Sequence, residues 1–333
     1  MDYPGEKLAI KIWETITDRG LSGLLRPFQI RREGRARLEV RRHEILLTAQ
    51  AEKDVEDIRA GAKVFNADNE LVPACESLNQ PGALLTITDL VRYAQEVSET
   101  RDLTRLINLR SILVEAEKVA SDTPDEQVSD EPIDPDWFSR WRSGAEDVSA
   151  EKMQQLWARV LAGEVRSPGS YSLRTLQFLS NLNQRDAQLI ERIAPFRIDN
   201  AILRDDEILK NKGIQFSDLL LLDDLGVIQG VEAVGGLVLK ADSNDSEKFY
   251  VNFLCQEKAI VVEGQVKGAP FEIEIFGLTQ VGREVLSLGN FRADSDCLGK
   301  IADIAKKRGL SAKAGVWHRD SEGMIRVDSF EKL

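Results

Sequence analysis

Met153-Gln-Gln-Leu-Trp-Ala-Arg-Val-Leu-Ala-Gly-Glu-Val-Arg-Ser-Pro-Gly-Ser-Tyr-Ser-Leu-Arg-Thr-Leu176 joins two helical periods through a short loop. Met153, Leu156, Trp157, Val160 and Leu161 recur at three and four residues, the spacing of a buried helical stripe. Ser149 is placed to cap this helix, and Glu151 lies against the positive end of its dipole. Gly163 suits a C-terminal stop, Pro168-Gly169 a turn, and Ser172 the cap of a second helix carrying Leu173, Leu176, Leu179 and Leu182. Asn183 to Ile193 adds a further helix. Upstream, Asp134-Pro135 offers an N-cap and a first-position proline, followed by Trp137, Phe138 and Trp141 on one face. Residues 135–196 therefore read as a compact central helical bundle.

The chain before this bundle also reads as helix. Leu8, Ala9, Ile12, Trp13 and Ile16 define an amphipathic first helix from Glu6 that ends near Gly20. Beyond Pro27, the stretch from Ile30 to Val64 is rich in Arg, Glu, Ala, Leu and Gln with few apolar positions, which predicts an exposed or paired helix. A Pro81-Gly82 break precedes another long helix, Ile87 to Ala120, whose stripe is Leu103, Leu106, Ile107, Leu113 and Val114. The two long segments suggest an antiparallel hairpin within a helical, coiled-coil region, 1–120. Residues 121–134 are acidic and proline-interrupted, too polar for a core, and read as a linker.

After Arg197 the pattern changes. Phe216 to Leu225 reads as a helix closed by Gly226 and followed directly by Val227-Ile228. Leu237–Lys240, Phe249–Leu254, Ala259–Glu263 and Phe271–Phe276 are β-branched and aromatic, predicting a small antiparallel sheet. The expected fold is mainly α with a C-terminal α+β part. It comprises an N-terminal helical hairpin, the central bundle, a winged-helix-like domain over 197–290, and a helix plus β-hairpin over 291–333.

The Trp-x-x-x-Leu-Ala helix from Trp157, its Pro168-Gly169-Ser170 loop and the leucine-rich helix after it resemble domain-of-unknown-function family 2806, an uncharacterised bacterial family. More distantly the chain resembles the abortive-infection alpha proteins, whose closing helix is similar to Leu278-Thr-Gln-Val-Gly-Arg-Glu-Val-Leu286. The second resemblance implies a part in anti-phage defence, as a sensor or a growth-arresting effector.

Composition narrows the chemistry. A net charge of −12 over 333 residues argues against coating nucleic acid through overall charge. Cys75, Cys255 and Cys297 are odd in number and widely spaced, so they supply neither a disulfide framework nor a Cys-x-x-Cys metal site. His43 and His318 have no local Cys, Asp or His at ligand spacing. No apolar run approaches a membrane span and the first residues lack a signal-peptide pattern, so a cytoplasmic chain without cofactor or metal is expected. No local constellation supports a hydrolase or nuclease.

Two site candidates remain. At 163–172, glycine turns and hydroxyls meet Arg166 and Arg174 at a helix N-terminus, so Arg166, Ser170, Ser172 and Arg174 are candidates for binding an anion or a partner. The alternative reading is a tight interhelical turn with Ser172 as cap and Glu164 paired to an arginine. The other candidate is the basic run containing Arg31, Arg32, Arg35 and Arg42, which suits nucleic acid or an anionic surface. With Trp13 and its aliphatic face nearby, the first helix offers a membrane-surface contact. Phe216 to Leu225, the segment most like a DNA-reading helix, holds Asp218, Asp223 and Asp224 and no Arg or Lys. The expectation is a non-enzymatic, self-associating interaction protein with a protein partner, phage-derived in the defence reading. The alternative is a nucleic-acid-binding regulator using the basic helix and the wing.

Overall fold

The computed structural model describes residues 5–16, 63–65, 71–73, 87–121, 128–242, 248–265, 270–319 and 324–332. Its first helix, α1 (Glu6–Ile16), buries Leu8, Ile12 and Ile16. Two three-residue strands, β1 (Lys63–Phe65) and β2 (Leu71–Pro73), pair antiparallel. The helix expected over 30–64 otherwise lies outside the described residues, and so does its hairpin with the next helix. Its last two residues are corrected: Lys63 and Val64 belong to β1, consistent with the strand preference of the Val64-Phe65 pair.

α2 (Ile87–Ser121) has the expected bounds but a different buried face. Leu109, Ile112, Leu113, Ala116 and Ala120 are buried, whereas Leu103 and Leu106 are 52% and 43% exposed. Among the described residues, α1 and the bundle pack against the C-terminal half of the helix, and none covers Leu103 or Leu106.

The supposed linker is partly a strap. Val128 and Ile133 are buried, Lys7 Nζ donates to Val128 O at 3.2 Å, and Lys11 Nζ donates to Ser129 O and Glu131 O at 2.6 Å each. Ser129 N donates to Arg166 O at 2.8 Å. Two buried apolar residues anchor it despite its acidic composition.

The bundle follows as α3 (Pro135–Ala145), α4 (Glu151–Arg166), α5 (Leu173–Asn181) and α6 (Gln184–Ile193). Asp134, Ser172 and Asn183 each cap a helix by accepting backbone N–H groups. Two expectations for α4 are corrected. Its N-cap is Ala150 without a side-chain bond, not Ser149, and the helix runs through Gly163 to Arg166. Gly163 serves packing instead of termination, since a Cβ there would lie 2.6 Å from the Tyr171 ring. Trp141 and Trp157 are fully buried at the centre, and Trp141 Nε1 donates to Trp157 O at 3.1 Å.

A turn of 3-10 helix, Ala194–Phe196, leads into β3 (Arg197–Ile198), β4 (Ala201–Leu203), α7 (Asp206–Asn211), α8 (Phe216–Asp224), β5 (Ile228–Gln229) and β6 (Leu237–Ala241). Then come β7 (Phe249–Cys255), β8 (Lys258–Gly264), β9 (Phe271–Leu278), α9 (Gln280–Leu286), α10 (Ser295–Lys307), β10 (Ser311–Arg319) and β11 (Ile325–Lys332). The strands form two antiparallel sheets where the sequence suggested one. In the first, β9 is flanked by β4 on one side and by β5 and β6 on the other, with Leu203 and Leu239 opposite Ile275 and Ile273. In the second, β7, β8, β10 and β11 lie in that order. β10 pairs with β8, and α10 buries Cys297, Leu298, Ile301 and Ala305 against the strands. Phe253 and Phe271 meet at 5.6 Å between the sheets.

Candidate interaction site

The loop between α4 and α5 is closed from within. Glu164, 2% exposed, accepts from Gly169 N at 2.6 Å and Tyr171 N at 2.9 Å, so both carboxylate oxygens hold backbone N–H groups instead of an arginine. Trp137 Nε1 donates to Tyr171 O at 2.6 Å, and Ser170 Oγ donates to Ser167 O at 2.5 Å. At the N-terminus of α5, where an anion was expected, the Glu284 carboxylate from α9 accepts from Ser172 N at 2.7 Å and Ser172 Oγ at 3.0 Å. A carboxylate of the chain itself thus occupies the positive end of the helix. Of the four candidate residues, Ser170 and Ser172 are engaged in the turn, while Arg166 and Arg174 are exposed. Arg31, Arg32, Arg35 and Arg42 lie outside the described residues.

Burial pushes the Glu164 carboxyl above its ordinary value, against the opposing pull of the Gly169 and Tyr171 N–H groups. Glu164→Gln exchanges one accepting oxygen for an amide donor facing a backbone N–H. A loss of about 1–3 kcal/mol is expected, seen as a lower urea midpoint at unchanged m-value. Because the folded-state pKa is the raised one, the folded chain binds this proton more tightly. That contribution is full below the unfolded value of about 4.3 and fades as pH rises through the folded pKa. The stability gap between wild type and Glu164→Gln should narrow over this window. A gap that widens with pH would contradict the assignment.

A second concavity, missed from the sequence, is a cleft of about 400 Å³ lined by Leu203–Asp206, Glu272–Glu274, Lys300 and Ile304. Its charges are largely spoken for: Lys300 Nζ meets Asp205 at 2.6 Å and Lys240 Nζ meets Glu272 at 2.9 Å. The Arg204 guanidinium stacks over Phe276 at 5.2 Å, with a buried Nη1 that has no hydrogen-bond partner. An arginine next to two aspartates reads in sequence as a solvated patch, which is why Arg204 escaped notice. Among the described residues its lining includes no hydroxyl, thiol or imidazole to act as a nucleophile.

Cys255 and Cys297 are buried, and burial drives the Cys297 thiol up to about 12, far from a reactive thiolate. His318 lies on the surface, its Nδ1 3.3 Å from Asp328. Among the described residues no group of three His, Cys, Asp or Glu side chains is set to hold a metal ion, and no helix is long and apolar enough to cross a membrane.

α8 buries Leu219 and Leu222 but leaves its first turn exposed. Phe216, at its first turn, is 60% exposed. Asp218 accepts from Gln215 N at 3.0 Å and lies 3.8 Å from Arg192, Asp223 accepts from Val231 N at 3.2 Å, and Asp224 is exposed. Lys212, which precedes the helix, is held by Asp294 at 2.7 Å and Asp296 at 2.9 Å. In the loop between β5 and β6, Val234 stands fully exposed beside Gly235. The helix thus presents Phe216 and Asp224 to solvent without a cation of its own.

No curated protein and no solved structure matches this chain. Residues 98–210, from the projecting half of α2 through the capped helices α3 to α6 and into α7, match the family described as "Protein of unknown function (DUF2806)".

Proposed function

We propose that this chain is a non-enzymatic interaction protein whose winged-helix-like region, 197–290 with α6 leading into it, is given over to protein contact. The order α6, β4, α7, α8, β6, β9, with β9 running between β4 and β6, is helix, strand, helix, helix, strand, strand, and supports that assignment. The β7–β8 hairpin is inserted between the two wing strands. The observation that carries the functional reading is α8: in a DNA-binding winged helix this element needs cations for phosphate, and here it holds three aspartates and no cation, with Phe216 and Asp224 exposed. An exposed aromatic beside carboxylates suits a protein surface with an apolar pocket and basic rim.

A role in bacterial anti-phage defence is part of the proposal and rests on the resemblance to the abortive-infection alpha proteins. Phage challenge of cells carrying the chain tests both parts. Phe216→Ser should abolish protection, with plating efficiency rising to that of cells lacking the protein, at an unchanged melting temperature of the purified variant. The rival reading, a nucleic-acid-binding regulator, predicts affinity for duplex DNA that falls steeply with salt. Steep salt-dependent binding, equal in wild type and Phe216→Ser, would overturn the protein-contact reading.

A further inference from the structure

The second sheet is covered at one edge and, among the described residues, unpaired at the other. On the β7 side, Asp199 N donates to Leu254 O at 2.7 Å and Leu254 N donates to Asp199 Oδ1 at 2.8 Å, so the β3–β4 turn closes that edge. On the other side β11 pairs with β10 alone, and among the described residues no strand adjoins its outer edge. Such an edge presents a row of backbone N–H and C=O groups that template a further strand. Its far half is blunted: the register slips near Gly315, and Ser329 takes a φ of 57°. The regular part is Ile325–Asp328, opposite Val316–Arg319 of β10.

We propose that two copies of this chain pair through β11, antiparallel about a two-fold axis at Val327, to give one continuous eight-stranded sheet. The charges along the strand select this partner and this register. Arg326 and Asp328 lie on one face, two residues apart, with Val327 between them on the other. A two-fold at Val327 puts Arg326 of each copy opposite Asp328 of the other and Val327 opposite Val327. A two-fold axis through the sheet keeps faces matched, so the neighbouring registers differ by two residues. One of these sets Arg326 against Arg326 and the other Asp328 against Asp328, each a like-charge pair directly opposite. His318 Nδ1 lies 3.3 Å from Asp328 on the same face. Met324, 59% exposed, stands at the end of the strand where the second copy would cover it.

Light scattering on the full chain tests this. The wild type should show twice the 37.3 kDa chain mass at micromolar concentration. Arg326→Asp sets Asp against Asp and Asp328→Arg sets Arg against Arg, so each should weaken self-association by roughly tenfold or more. Mixed in equal amounts, the two variants regain opposite charges at both positions and should form a dimer of the wild-type mass. That recovery also shows that both variants fold. A monomeric wild type, a dimer indifferent to the reversals, or a mixture that stays monomeric would each overturn the proposal.

Discussion

Gly282→Ala is expected to unseat α9 and to cost roughly 3 kcal/mol or more, since overpacking against a rigid neighbour exceeds the common range for core insertions. A Cβ at position 282 would lie 2.0 Å from Val227 O and 2.9 Å from Val227 C, and both are backbone atoms that no rotamer change can move aside. The same carbonyl is fixed by its neighbours. Thr279 N donates to Val227 O at 3.1 Å, and the Thr279 hydroxyl donates to Gly226 O while capping α9 through Gly282 N at 3.0 Å. Thr279 and Gly282 therefore form a clamp that holds α9 on the bend between α8 and β5. Glu284 on the same helix completes the α4–α5 loop through Ser172, so loss of the clamp should also loosen a loop 112 positions away. A fall in melting temperature of roughly 6–12 °C is expected, at about 2–4 °C per kcal/mol for larger domains. Gly299→Ala is the control: it sits inside α10 with open space around its Cβ position, and it should be neutral or stabilising by about 0.5–1 kcal/mol. A Gly282→Ala variant that melts with the wild type would show that α9 does not bear on Val227.

This clamp illustrates what the sequence disclosed. Leu278–Leu286 was read as a helix through its resemblance to a closing helix, but the cap at Thr279 went unread and the reason for glycine lies in a carbonyl 55 residues earlier in the chain. The same division runs through the molecule. The bundle helices were legible where local chemistry writes their ends, at Asp134, Ser172 and Asn183. Gly163 misled because a glycine required by a tertiary contact with Tyr171 looks the same as one that stops a helix. The union of β10 with β8 joins Ser311 to Glu263 across a long separation that no periodicity records. At the candidate loop, Ser172 was correctly read as a cap, but the anion it faces proved to be Glu284, supplied from another element. In α2 the apolar positions ran on along the helix, so the sequence could not say which half would be covered.

The second large effect lies where Trp157 meets Gly144. Trp157→Ala empties the centre of the bundle and is expected to cost about 3–5 kcal/mol, as large-to-small changes of buried aromatics do. Trp157→Phe should cost much less, because the indole Nε1 is buried with no hydrogen-bond partner and its removal breaks no bond. The position is set by Gly144 on α3, where a Cβ would lie 2.3 Å from Trp157 Cη2 and 2.9 Å from Ser180 Oγ. Gly144→Ala alone therefore drives a methyl group into the six-membered ring, and 1–3 kcal/mol is a reasonable order for the cost. Phenylalanine at 157 withdraws the part of the ring that blocks this methyl. The double variant should then be more stable than the sum of the single effects implies, with a coupling of about 0.5–3 kcal/mol. Urea unfolding of the four proteins of the cycle measures it directly. Additive costs would mean that α3 and α4 adjust independently and that the tryptophan does not dictate glycine at 144. A coupling of the expected sign would mean that the helix bearing the Trp157 motif and the helix before it are shaped as one packed pair.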